Sequence, residues 1–547
     1  MARMDGLMQD VPLTVTSILA RAERLFPTRE VVTKTAAGIE RATYADLARE
    51  VRRQAASLDR LGLSADARVA SFAWNTFRHL ALYYSVAGTG RVLHTGNIRY
   101  FPEQLIYTFN HAEDEAVFVD RSLLPLISPL LDQLTTLKHV VVMDDGVPNP
   151  LPPDPRVIAY EELLTEEEAD LEGRVTDEHQ AAGICYTSGT TGHPKGVVYS
   201  HRSQWLHAVS SLTSSSFGMK DSDRILPVVP FFHANGWGLA HSPLMGGASL
   251  VLPGPDMSPA GITSLMESER VTVAAGVPTI WMGVAPLLAD HDLSHLRTVI
   301  CGGSAVPPSL SEAWRSAIGI PITQAWGMTE MSPLGSICQP RAEVEAMSEA
   351  EQIDIRATAG FMAPGVEMRI VEPATREEQP WDGEATGELE VRGPWIARQY
   401  YRTPLETGPG ADFSPDGWLR TGDVASISEL GYLKLVDRTK DLVKSGGEWI
   451  SSVAVENAIM GHPAVAEAAV IASPHPKWGE RPLAFAVIRD GQSVSREELL
   501  DFLGERLGKW QVPDDVVFID EVPRTSVGKF SKKTLREKYA GYVLPTA

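Results

Sequence analysis

Apolar and polar residues alternate along the first part of the chain in two regular spacings. Leu47, Val51 and Ala55 recur at helical spacing after Thr43, a residue type that caps helices, and residues 69–73 then form a short apolar run typical of a strand. Helix-like and strand-like segments continue to alternate beyond them. Because helices and strands follow one another in turn, the pattern predicts an α/β fold.

Three later apolar segments run directly into polar or glycine-containing segments. Residues 225–230 predict a buried strand that leads into 231–237, and residues 298–301 predict another that leads into two glycines. A third segment, 324–330, brings an aromatic ring, a hydroxyl and a carboxylate together. In α/β sheets, ligands bind at the carboxyl ends of strands, so these segments are predicted to line one site.

The last part of the chain follows a dense group of charges. Residues 432–436 are strand-like, and 437–441 read Asp-Arg-Thr-Lys-Asp, which indicates an exposed joint between domains. Helix-like residues 453–460 and strand-like residues 466–472 and 483–488 predict a compact α/β tail. A length of 547 residues also favours two or more domains.

The composition narrows the classes of function. The formal net charge of -21 disfavours binding to nucleic acid and to anionic membrane surfaces. Cys185, Cys301 and Cys338 have no paired spacing, so we expect buried thiols rather than a metal site or disulfides. Residues 1–12 include Asp5 and Asp10 and have no apolar core of signal-peptide length, and no later apolar run reaches the roughly 20 residues that a membrane span needs. A cytoplasmic protein without an integral membrane segment is therefore expected.

The densest group of candidate functional residues reads Tyr-Thr-Ser-Gly-Thr-Thr-Gly-His-Pro-Lys-Gly at 186–196. Its glycines, its serine and threonine hydroxyls and its lysine can surround a polyphosphate with backbone amides, hydroxyls and one cation. The common phosphate loop needs Gly-Lys-Ser/Thr at the start of a helix, whereas here Pro194 precedes Lys195. The segment therefore predicts a nucleotide triphosphate site of another kind.

Together, the motifs resemble the superfamily of acyl- and aryl-CoA synthetases, adenylation domains and luciferases. The phosphate loop is followed in the family's order by Trp-Gly-Met-Thr-Glu, Thr-Gly-Asp, Asp-Arg-Thr-Lys-Asp, Ser-Gly-Gly-Glu-Trp and Pro-Arg-Thr-Ser-Val-Gly-Lys. The resemblance runs from about Thr16 to Tyr539 and is greatest to bacterial long-chain fatty acyl-CoA synthetases. It implies that ATP and Mg²⁺ activate a medium- to long-chain fatty acid as its acyl-adenylate, which then forms a thioester with coenzyme A.

The resemblance also implies the domain organisation. It predicts a large N-terminal domain of mixed sheets layered with helices at 1–436, a hinge at 437–441 and a small mobile α+β C-terminal domain at 442–547. Related long-chain enzymes pair through their N-terminal domains, and residues 11–29 are long enough to reach a neighbour. We therefore expect a homodimer.

The resemblance assigns roles to individual residues. Thr187 and Glu330 would hold Mg²⁺ and take part in catalysis. The predicted nucleotide contacts are Ser188, Gly189, Thr190, Thr191, Lys195 and Thr329 at the phosphates, Gly303, Ser304, Gln324, Ala325, Trp326 and Gly327 at the adenine, and Asp423 and Arg438 at the ribose. The family usually has tyrosine where this chain has Trp326, so we expect stacking to be kept and the hydrogen bond of the tyrosine hydroxyl to be lost.

The segment Phe-His-Ala-Asn-Gly-Trp after the first of the three strands predicts further site residues. His233 is a candidate catalytic residue, Ala234 is expected near the nucleotide, and Trp237 resembles the gate of an acyl tunnel. The segment has no acidic residue to pair with a substrate ammonium, which disfavours an amino acid substrate. An aryl- or short- to medium-chain acyl-CoA ligase, and a scaffold protein without the chemistry, remain alternatives.

The resemblance implies that two loops of the predicted C-terminal domain, one with Lys529 and one at 444–449, occupy the same space beside the reacting carboxylate in different steps. Lys529 is implied to bridge the attacking carboxylate and the α-phosphate during adenylation. The thioester step needs the same space for the thiol, and the residues implied for that step are Lys444, Gly446, Gly447 and Trp449. We therefore expect the domain to rotate about Lys440 between the two half-reactions.

Overall fold

The computed structural model describes residue 4 and residues 6–187, 193–406, 411–446, 448–524 and 530–547. In chain order, its strands are β1 Glu30–Thr35, β2 Gly38–Thr43, β3 Arg68–Phe72, β4 Val92–Thr95, β5 Asp114–Asp120, β6 His139–Met143, β7 Val157–Ala159, β8 Ala181–Tyr186, β9 Gly196–Ser200, β10 Arg224–Pro227, β11 Ser249–Leu252, β12 Val273–Gly276, β13 Thr298–Cys301, β14 Ile322–Gly327, β15 Leu334–Ile337, β16 Phe361–Met362, β17 Glu367–Val371, β18 Gly387–Arg392, β19 Leu419–Ile427, β20 Leu433–Arg438, β21 Val443–Ser445, β22 Glu448–Ile450, β23 Val465–His475, β24 Gly479–Ile488 and β25 Asp515–Phe518.

Helices of varied length connect these strands. The α-helices are α1 Val15–Leu25, α2 Tyr44–Arg60, α3 Phe77–Gly88, α4 Pro102–Ala112, α5 Leu124–Ile127, α6 Tyr160–Leu163, α7 His201–Leu212, α8 Ser242–Gly246, α9 Pro259–Ser268, α10 Pro278–Val284, α11 Pro308–Ile318, α12 Ala342–Glu345, α13 Glu349–Arg356, α14 Ser452–Met460, α15 Arg496–Gly504 and α16 Lys532–Lys538. Short 3₁₀ helices cover Arg121–Leu123, Ser128–Gln133, Ala234–Gly238, Ala285–Asp290 and Thr329–Met331.

The described strands form four sheets. A 9-stranded sheet has the order β16-β15-β14-β13-β12-β10-β11-β1-β2, and a 7-stranded sheet has the order β7-β6-β5-β3-β4-β8-β9. Their central strands are parallel, with antiparallel pairs at both edges of the 9-stranded sheet and at the β9 edge of the 7-stranded sheet. A 4-stranded sheet follows in the order β17-β18-β19-β20, and strands β21 to β25 form the last sheet. The predicted α/β class, with large mixed sheets followed by a smaller α+β part, is confirmed.

Helix α2 shows how the apolar spacing of the sequence becomes packing. Thr43 Oγ1 accepts a hydrogen bond from the Asp46 backbone N–H at 3.2 Å, and the Asp46 carboxylate accepts one from the Thr43 backbone N–H at 3.0 Å. A cap of this type stabilises a helix by about 1 kcal/mol. Leu47 and Val51 are fully buried, and α2 packs against α3. The predicted helix and its N-terminal cap are therefore confirmed.

The charged joint at 437–441 is less exposed than the sequence predicts. Asp437 is buried because its carboxylate accepts hydrogen bonds from the backbone N–H and the hydroxyl of Ser452 at the start of α14. Asp441 is buried against Arg536, whose Nη1 donates to it at 2.8 Å. Thr439 and Lys440 are exposed. The prediction of an exposed joint is therefore wrong for Asp437 and Asp441, because residues later in the chain cover their carboxylates.

The last sheet, with α14 to α16, follows the joint and has its own apolar core. Val443, Ile450 and Val455 are fully buried in this core together with residues of β23 and β24. A separate core is what an independent domain needs. The limits 1–436, 437–441 and 442–547, and the mobility of the C-terminal part, stay predictions.

Helix α1 lies in the core of its own chain. It packs against α2, α3, α7 and α8, with Ile18 and Ala22 fully buried. Just before it, the Leu13 backbone N–H donates to Glu178 Oε2 at 2.9 Å. Residues 15–25 therefore complete the apolar core beside them. The homodimer itself stays a prediction.

Two expectations from composition can be compared with the fold. Cys185, Cys301 and Cys338 are free and buried, which confirms the prediction of buried thiols. Burial raises the pKa of Cys338 to about 11, so this thiol stays protonated near neutral pH. Across the ranges that the structure describes, no helix combines the length and apolar character that a membrane span requires.

Candidate active site

A cavity of about 330 Å³ lies where strands of the two largest sheets end beside the β19–β20 pair. Thr187 follows β8, Gly303 follows β13, and Trp326 is near the end of β14. The predicted site residues that line this cavity are Thr187, Lys195, His233, Ala234, Trp237, Gly303, Ala325, Trp326, Gly327, Thr329, Glu330, Arg438 and Lys440. The strand ends thus bring residues far apart in sequence together at one place.

Other predicted residues lie away from the cavity wall. The Gln324 side-chain amide donates to the Arg356 carbonyl at 3.2 Å, and Ser304 is exposed. Asp423 does not line the cavity, but it contacts two residues that do. The predictions for Ser188, Gly189, Thr190, Thr191, Gly447 and Lys529 lie outside the described residues.

Lys195 lines the cavity together with Thr187, which precedes it in the predicted phosphate-loop motif. Its backbone N–H donates to Thr187 Oγ1 at 3.0 Å, and its carbonyl accepts from the Thr187 N–H at 2.9 Å. Its ammonium is 2.5 Å from Asp412 Oδ2 and 4.4 Å from the centre of the Tyr400 ring. Because the Lys195 and Asp412 side chains are 43% and 45% exposed, this ion pair stabilises the fold by about 1 kcal/mol at most.

Glu330 presents a buried carboxylate to the cavity, next to the Tyr400 ring on which the Lys195 ammonium lies. It lies in the 3₁₀ turn after β14 and is 5% exposed. The Tyr400 hydroxyl donates to its Oε1 at 2.6 Å. Desolvation raises the pKa of Glu330, and the Tyr400 hydrogen bond opposes this shift by favouring the charged form.

The donor set here fits a Mg²⁺ ion that is held partly by its nucleotide. Mg²⁺ is usually bound by one or two carboxylates together with phosphate oxygens and water. Glu330 supplies a carboxylate and Thr187 a hydroxyl to the cavity wall. In the described part of the chain, no group of three or more His, Cys, Asp or Glu residues is suited to a metal ion, so a complete protein cage for the ion is not found there.

Trp326 connects the cavity wall with Asp423. Its indole Nε1–H donates to Asp423 Oδ2 at 3.0 Å, while Arg438 Nε lies 2.6 Å from Asp423 Oδ1. The pairing of β19 with β20 sets Asp423 opposite Arg438, and the Asp423 charge is the main cause that raises the pKa of Arg438. The sequence predicts only a ring face at Trp326, whereas the indole also supplies a hydrogen bond that orients Asp423.

The segment after β10 runs through a left-handed backbone. Ala234, Asn235 and Trp237 have φ angles of 44°, 50° and 58°. Such angles are uncommon for residues other than glycine, cost of order 1–3 kcal/mol each, and cluster at functional sites. His233 and Trp237 both line the cavity beside this strained backbone. The strain supports the hypothesis that they have functional roles.

Gly302 allows the ends of β13 and β14 to approach each other beside the Trp237 indole. A Cβ atom at Gly302 would lie 2.6 Å from the Ala325 carbonyl oxygen and 3.3 Å from Trp237 Cη2. The next residue, Gly303, has a φ of 88°, which a residue with a side chain rarely adopts. This part of the wall is therefore formed by backbone and one indole ring.

The described residues predicted for the thioester step lie on β21, on β22 or, for Gly446, directly after β21. The Lys444 ammonium is 5.3 Å from the centre of the Trp449 ring, and Trp449 is 53% exposed. The Gly446 N–H donates to the Trp478 carbonyl at 2.8 Å. None of Lys444, Gly446 and Trp449 lines the cavity, whereas Lys440 of the predicted hinge does. The structure therefore does not bring the residues predicted for the thioester step to this cavity.

Several residues of the cavity wall have no predicted role in the sequence. They are His193, Phe217, Gly302, Met328, Pro333, Leu334, Tyr400, Asp412, Arg420, Thr421, Gly422 and Thr439. Tyr400 and Asp412 belong to none of the motifs, and no local pattern marks them. Asp412 meets Lys195 across 217 positions of sequence, so this contact depends on the tertiary fold.

Comparison with known proteins adds two family matches. The profile described as "AMP-binding enzyme" matches residues 19–401, and the profile described as "AMP-binding enzyme C-terminal domain" matches residues 454–529. Among curated relatives, "3-methylmercaptopropionyl-CoA ligase" of Ruegeria lacuscaerulensis is 43% identical over 98% of this chain and 99% of its own length. "Long-chain-fatty-acid--CoA ligase" of Thermus thermophilus is 44% identical over 98% of this chain and 97% of its own length.

A solved structure shows the same fold over nearly the whole length. ATP-bound MatB from Rhodopseudomonas palustris superposes with a TM-score of 0.79 and 27% sequence identity. The match covers 96% of this chain and 99% of the other.

Proposed function

Because the chain belongs to the AMP-binding enzyme family, we propose that it is an acyl-CoA ligase that activates an apolar carboxylic acid with ATP and transfers the acyl group to coenzyme A. The observation that carries the proposal is the composition of the cavity wall. One cavity is lined by Lys195, Thr187 and Glu330 and also by the apolar side chains of Phe217 and Trp237. The family and the acyl-CoA ligase names of the relatives support this activity.

The two half-reactions balance without a further reactant. In the first, a carboxylate oxygen attacks the α-phosphorus of ATP, the bond to the bridging oxygen of the β-phosphate breaks, and pyrophosphate leaves. In the second, the thiol sulfur of coenzyme A attacks the acyl carbon, AMP leaves, and the thiol proton is released. Adenylation is needed because a carboxylate has a poor leaving group, whereas the mixed anhydride has AMP as its leaving group.

The charges around the cavity suit the first step. Two anions must approach each other, so fixed cations and hydrogen-bond donors near the phosphates lower the barrier. We assign Lys195 to the phosphates, Arg438 and Asp423 to the ribose, and Lys529 to the carboxylate and the α-phosphate. Mg²⁺, held by Glu330, Thr187 and the phosphates, supplies further charge neutralisation when bound.

For the acyl group we propose a medium- to long-chain fatty acid. Phe217, Trp237 and Leu334 offer apolar contacts, and the two carboxylates of the cavity wall, Glu330 and Asp412, contact Tyr400 and Lys195 respectively. Trp237 is proposed as the gate to the acyl channel. A second candidate is a short-chain acid that carries a thioether, because a relative with 43% identity is named for 3-methylmercaptopropionyl-CoA. An aryl acid is the remaining alternative.

Pyrophosphate release with a panel of acids tests these proposals together. Hexanoate, decanoate, palmitate, 3-methylmercaptopropionate and benzoate are each supplied with ATP, Mg²⁺ and coenzyme A. Fatty acid activation predicts the highest kcat/KM for decanoate or palmitate, and the second candidate predicts it for 3-methylmercaptopropionate. Absence of acid-dependent pyrophosphate release with every member would contradict the ligase proposal for these substrate classes.

Two further properties complete the proposal. We propose that the enzyme works in the cytoplasm, where ATP and coenzyme A are available, and that it forms a homodimer through its N-terminal domain. Met4, Leu7 and Met8 are apolar and 88% or more exposed, so they offer apolar surface to a second chain.

A further inference from the structure

We propose that Asp412 competes with pyrophosphate for Lys195 and thereby speeds pyrophosphate release after the acyl-adenylate has formed. The inference rests on the proposed function, because it takes the cavity as the ATP site. It gives Asp412 a role in the release of pyrophosphate that differs from the role of the residues proposed to bind ATP.

The ion pair between Lys195 and Asp412 is close but open to water. Lys195 Nζ is 2.5 Å from Asp412 Oδ2, and both residues line the cavity. Their side chains are 43% and 45% exposed, so solvent weakens the pair. A polyphosphate with several negative charges can therefore displace the single carboxylate.

Contacts other than Asp412 also hold Lys195 in position. Its backbone N–H donates to Thr187 Oγ1 at 3.0 Å, and its ammonium lies over the Tyr400 ring. The Tyr400 hydroxyl is in turn held by Glu330 at 2.6 Å. If the charge of Asp412 is removed, the Lys195 ammonium should therefore stay in the cavity, where no Asp412 carboxylate competes with a phosphate group for it.

The backbone around Asp412 keeps its carboxylate near Lys195. The Asp412 carbonyl accepts a hydrogen bond from the Arg420 N–H at 2.9 Å. The next residue, Phe413, is buried and packs edge-to-face on Tyr400, with the ring centres 5.8 Å apart. A carboxylate on an anchored backbone can return to Lys195 as soon as a phosphate group leaves.

The competition should affect three ligands to different degrees. Pyrophosphate has no adenosine part, so it depends most on the cation at Lys195. ATP shares this dependence through its β- and γ-phosphates but also binds through its nucleoside, near Trp326 and Arg438. AMP has neither of these phosphates, so its affinity should not respond to Asp412.

Titration calorimetry on full-length protein tests the proposal with Asp412→Asn, which keeps the shape of the side chain and removes its charge. With Mg²⁺ present, the variant should bind pyrophosphate about fivefold more tightly than the wild type, the factor expected from freeing one exposed ion pair. ATP affinity should rise by a similar factor, because ATP displaces the same carboxylate, and AMP affinity should not change. The difference in pyrophosphate affinity should shrink at high ionic strength, because salt screens exposed charges.

Glu429→Gln is the matched control. It removes the same charge from an exposed position in the turn between β19 and β20, and it does not line the cavity. Its affinity for pyrophosphate should equal that of the wild type. Asp412→Ser, a second variant without the charge, should reproduce the Asp412→Asn result if the charge is the cause.

Several outcomes would overturn the inference. Equal or weaker pyrophosphate binding by both Asp412 variants would show that the carboxylate does not compete, and so would an equal gain with Glu429→Gln. An equal gain for AMP would also overturn it, because AMP lacks the competing phosphates. If the wild type bound neither ATP nor AMP, the proposed function would fail first, and the two failures are thereby distinguished.

Discussion

Trp326 is a single side chain with two functions at the cavity wall. Its ring faces the cavity, and its indole N–H donates to Asp423 at 3.0 Å. A hydrogen bond to a charged group contributes about 1.5–3 kcal/mol. The orientation of Asp423 therefore depends on the residue type at position 326.

Replacing Trp326 with Phe keeps a ring and removes the donor. We expect KM for ATP to rise about tenfold with little change in kcat, because the hydrogen bond that orients Asp423, the proposed ribose contact, is lost. Steady-state kinetics with ATP and with 3′-deoxy-ATP measure this effect. The penalty should be smaller for 3′-deoxy-ATP, and an unchanged KM for ATP would contradict the role of the indole N–H.

Lys529 is the residue that separates the two half-reactions in our proposal. We expect Lys529→Ala to lower adenylate formation by at least about a hundredfold, because the cation that we propose bridges the carboxylate and the α-phosphate is removed. Conversion of a supplied acyl-adenylate to the thioester should persist. Pyrophosphate release and thioester formation are measured separately.

The control for this variant is Lys533→Ala in helix α16. Lys533 is exposed and pairs only loosely with Glu537, at 3.8 Å. Its loss should leave both half-reactions near their wild-type rates. Near-normal pyrophosphate release by Lys529→Ala would refute the catalytic assignment.

At the scale of elements, the short turn after β20 links the cavity to the last sheet. The Thr439 N–H donates to the Gly422 carbonyl at 2.9 Å, and the Asp441 N–H donates to the Arg438 carbonyl at 2.9 Å. Lys440 lies between these two bonded residues and is exposed. A rotation about Lys440 would therefore change the backbone of the turn that the hydrogen bond between Asp441 and Arg438 closes.

Proline at position 440 tests whether this turn is a hinge. Proline restricts φ at its own position and the conformation of the residue before it. We expect Lys440→Pro to permit adenylation and to block thioester formation, because the second step requires the rotated arrangement. Lys440→Ala, which removes the ammonium but keeps the backbone free, should form thioester. Unimpaired thioester synthesis by Lys440→Pro would rule out the hinge.

At the scale of the whole molecule, buried histidines make stability depend on pH. Burial lowers the pKa of His79, His201 and His207 to about 4 and that of His241 to about 3. In the unfolded chain a histidine has a pKa of about 6.5. Between about pH 4 and 6.5 the unfolded state thus binds more protons at these sites, and their contribution to stability falls as the pH falls.

His201→Asn tests one of these sites. The asparagine side chain can still accept a hydrogen bond from the Val15 N–H, which His201 Nδ1 accepts at 3.3 Å. The slope of unfolding free energy against pH near pH 5.5 should decrease by the equivalent of about one proton. Urea unfolding at a series of pH values measures the slope. The two proteins should differ little in slope above pH 7.5, and equal slopes at pH 5.5 would contradict the prediction.

The homodimer is a prediction about the assembled molecule. Light scattering at micromolar concentration should give twice the 59.5 kDa of one chain. Replacing Leu7 and Met8 with serine should shift the equilibrium toward the monomer, since both are exposed and apolar. A mass of one chain for the wild-type protein would contradict the dimer.

Local pattern alone determined much of the architecture. The cap at Thr43 and the buried spacing of Leu47 and Val51 mark α2, and the apolar run 298–301 coincides with β13. These features could be predicted because helix capping and strand patterning depend on residues within a few positions of one another. The motifs likewise indicated the nucleotide site, since Thr187, Lys195 and Glu330 each stand in a motif of neighbouring residues.

Only the tertiary structure decided what surrounds those motifs. Asp412 reaches Lys195, Tyr400 reaches Glu330, and Ser452 covers Asp437, although each partner belongs to a different segment of the chain. Whether a charge is paired, buried or exposed depends on which distant elements pack beside it, and no local pattern encodes that. The sequence therefore identified the residues that we propose bind phosphate, and the fold determined which carboxylate lies beside Lys195.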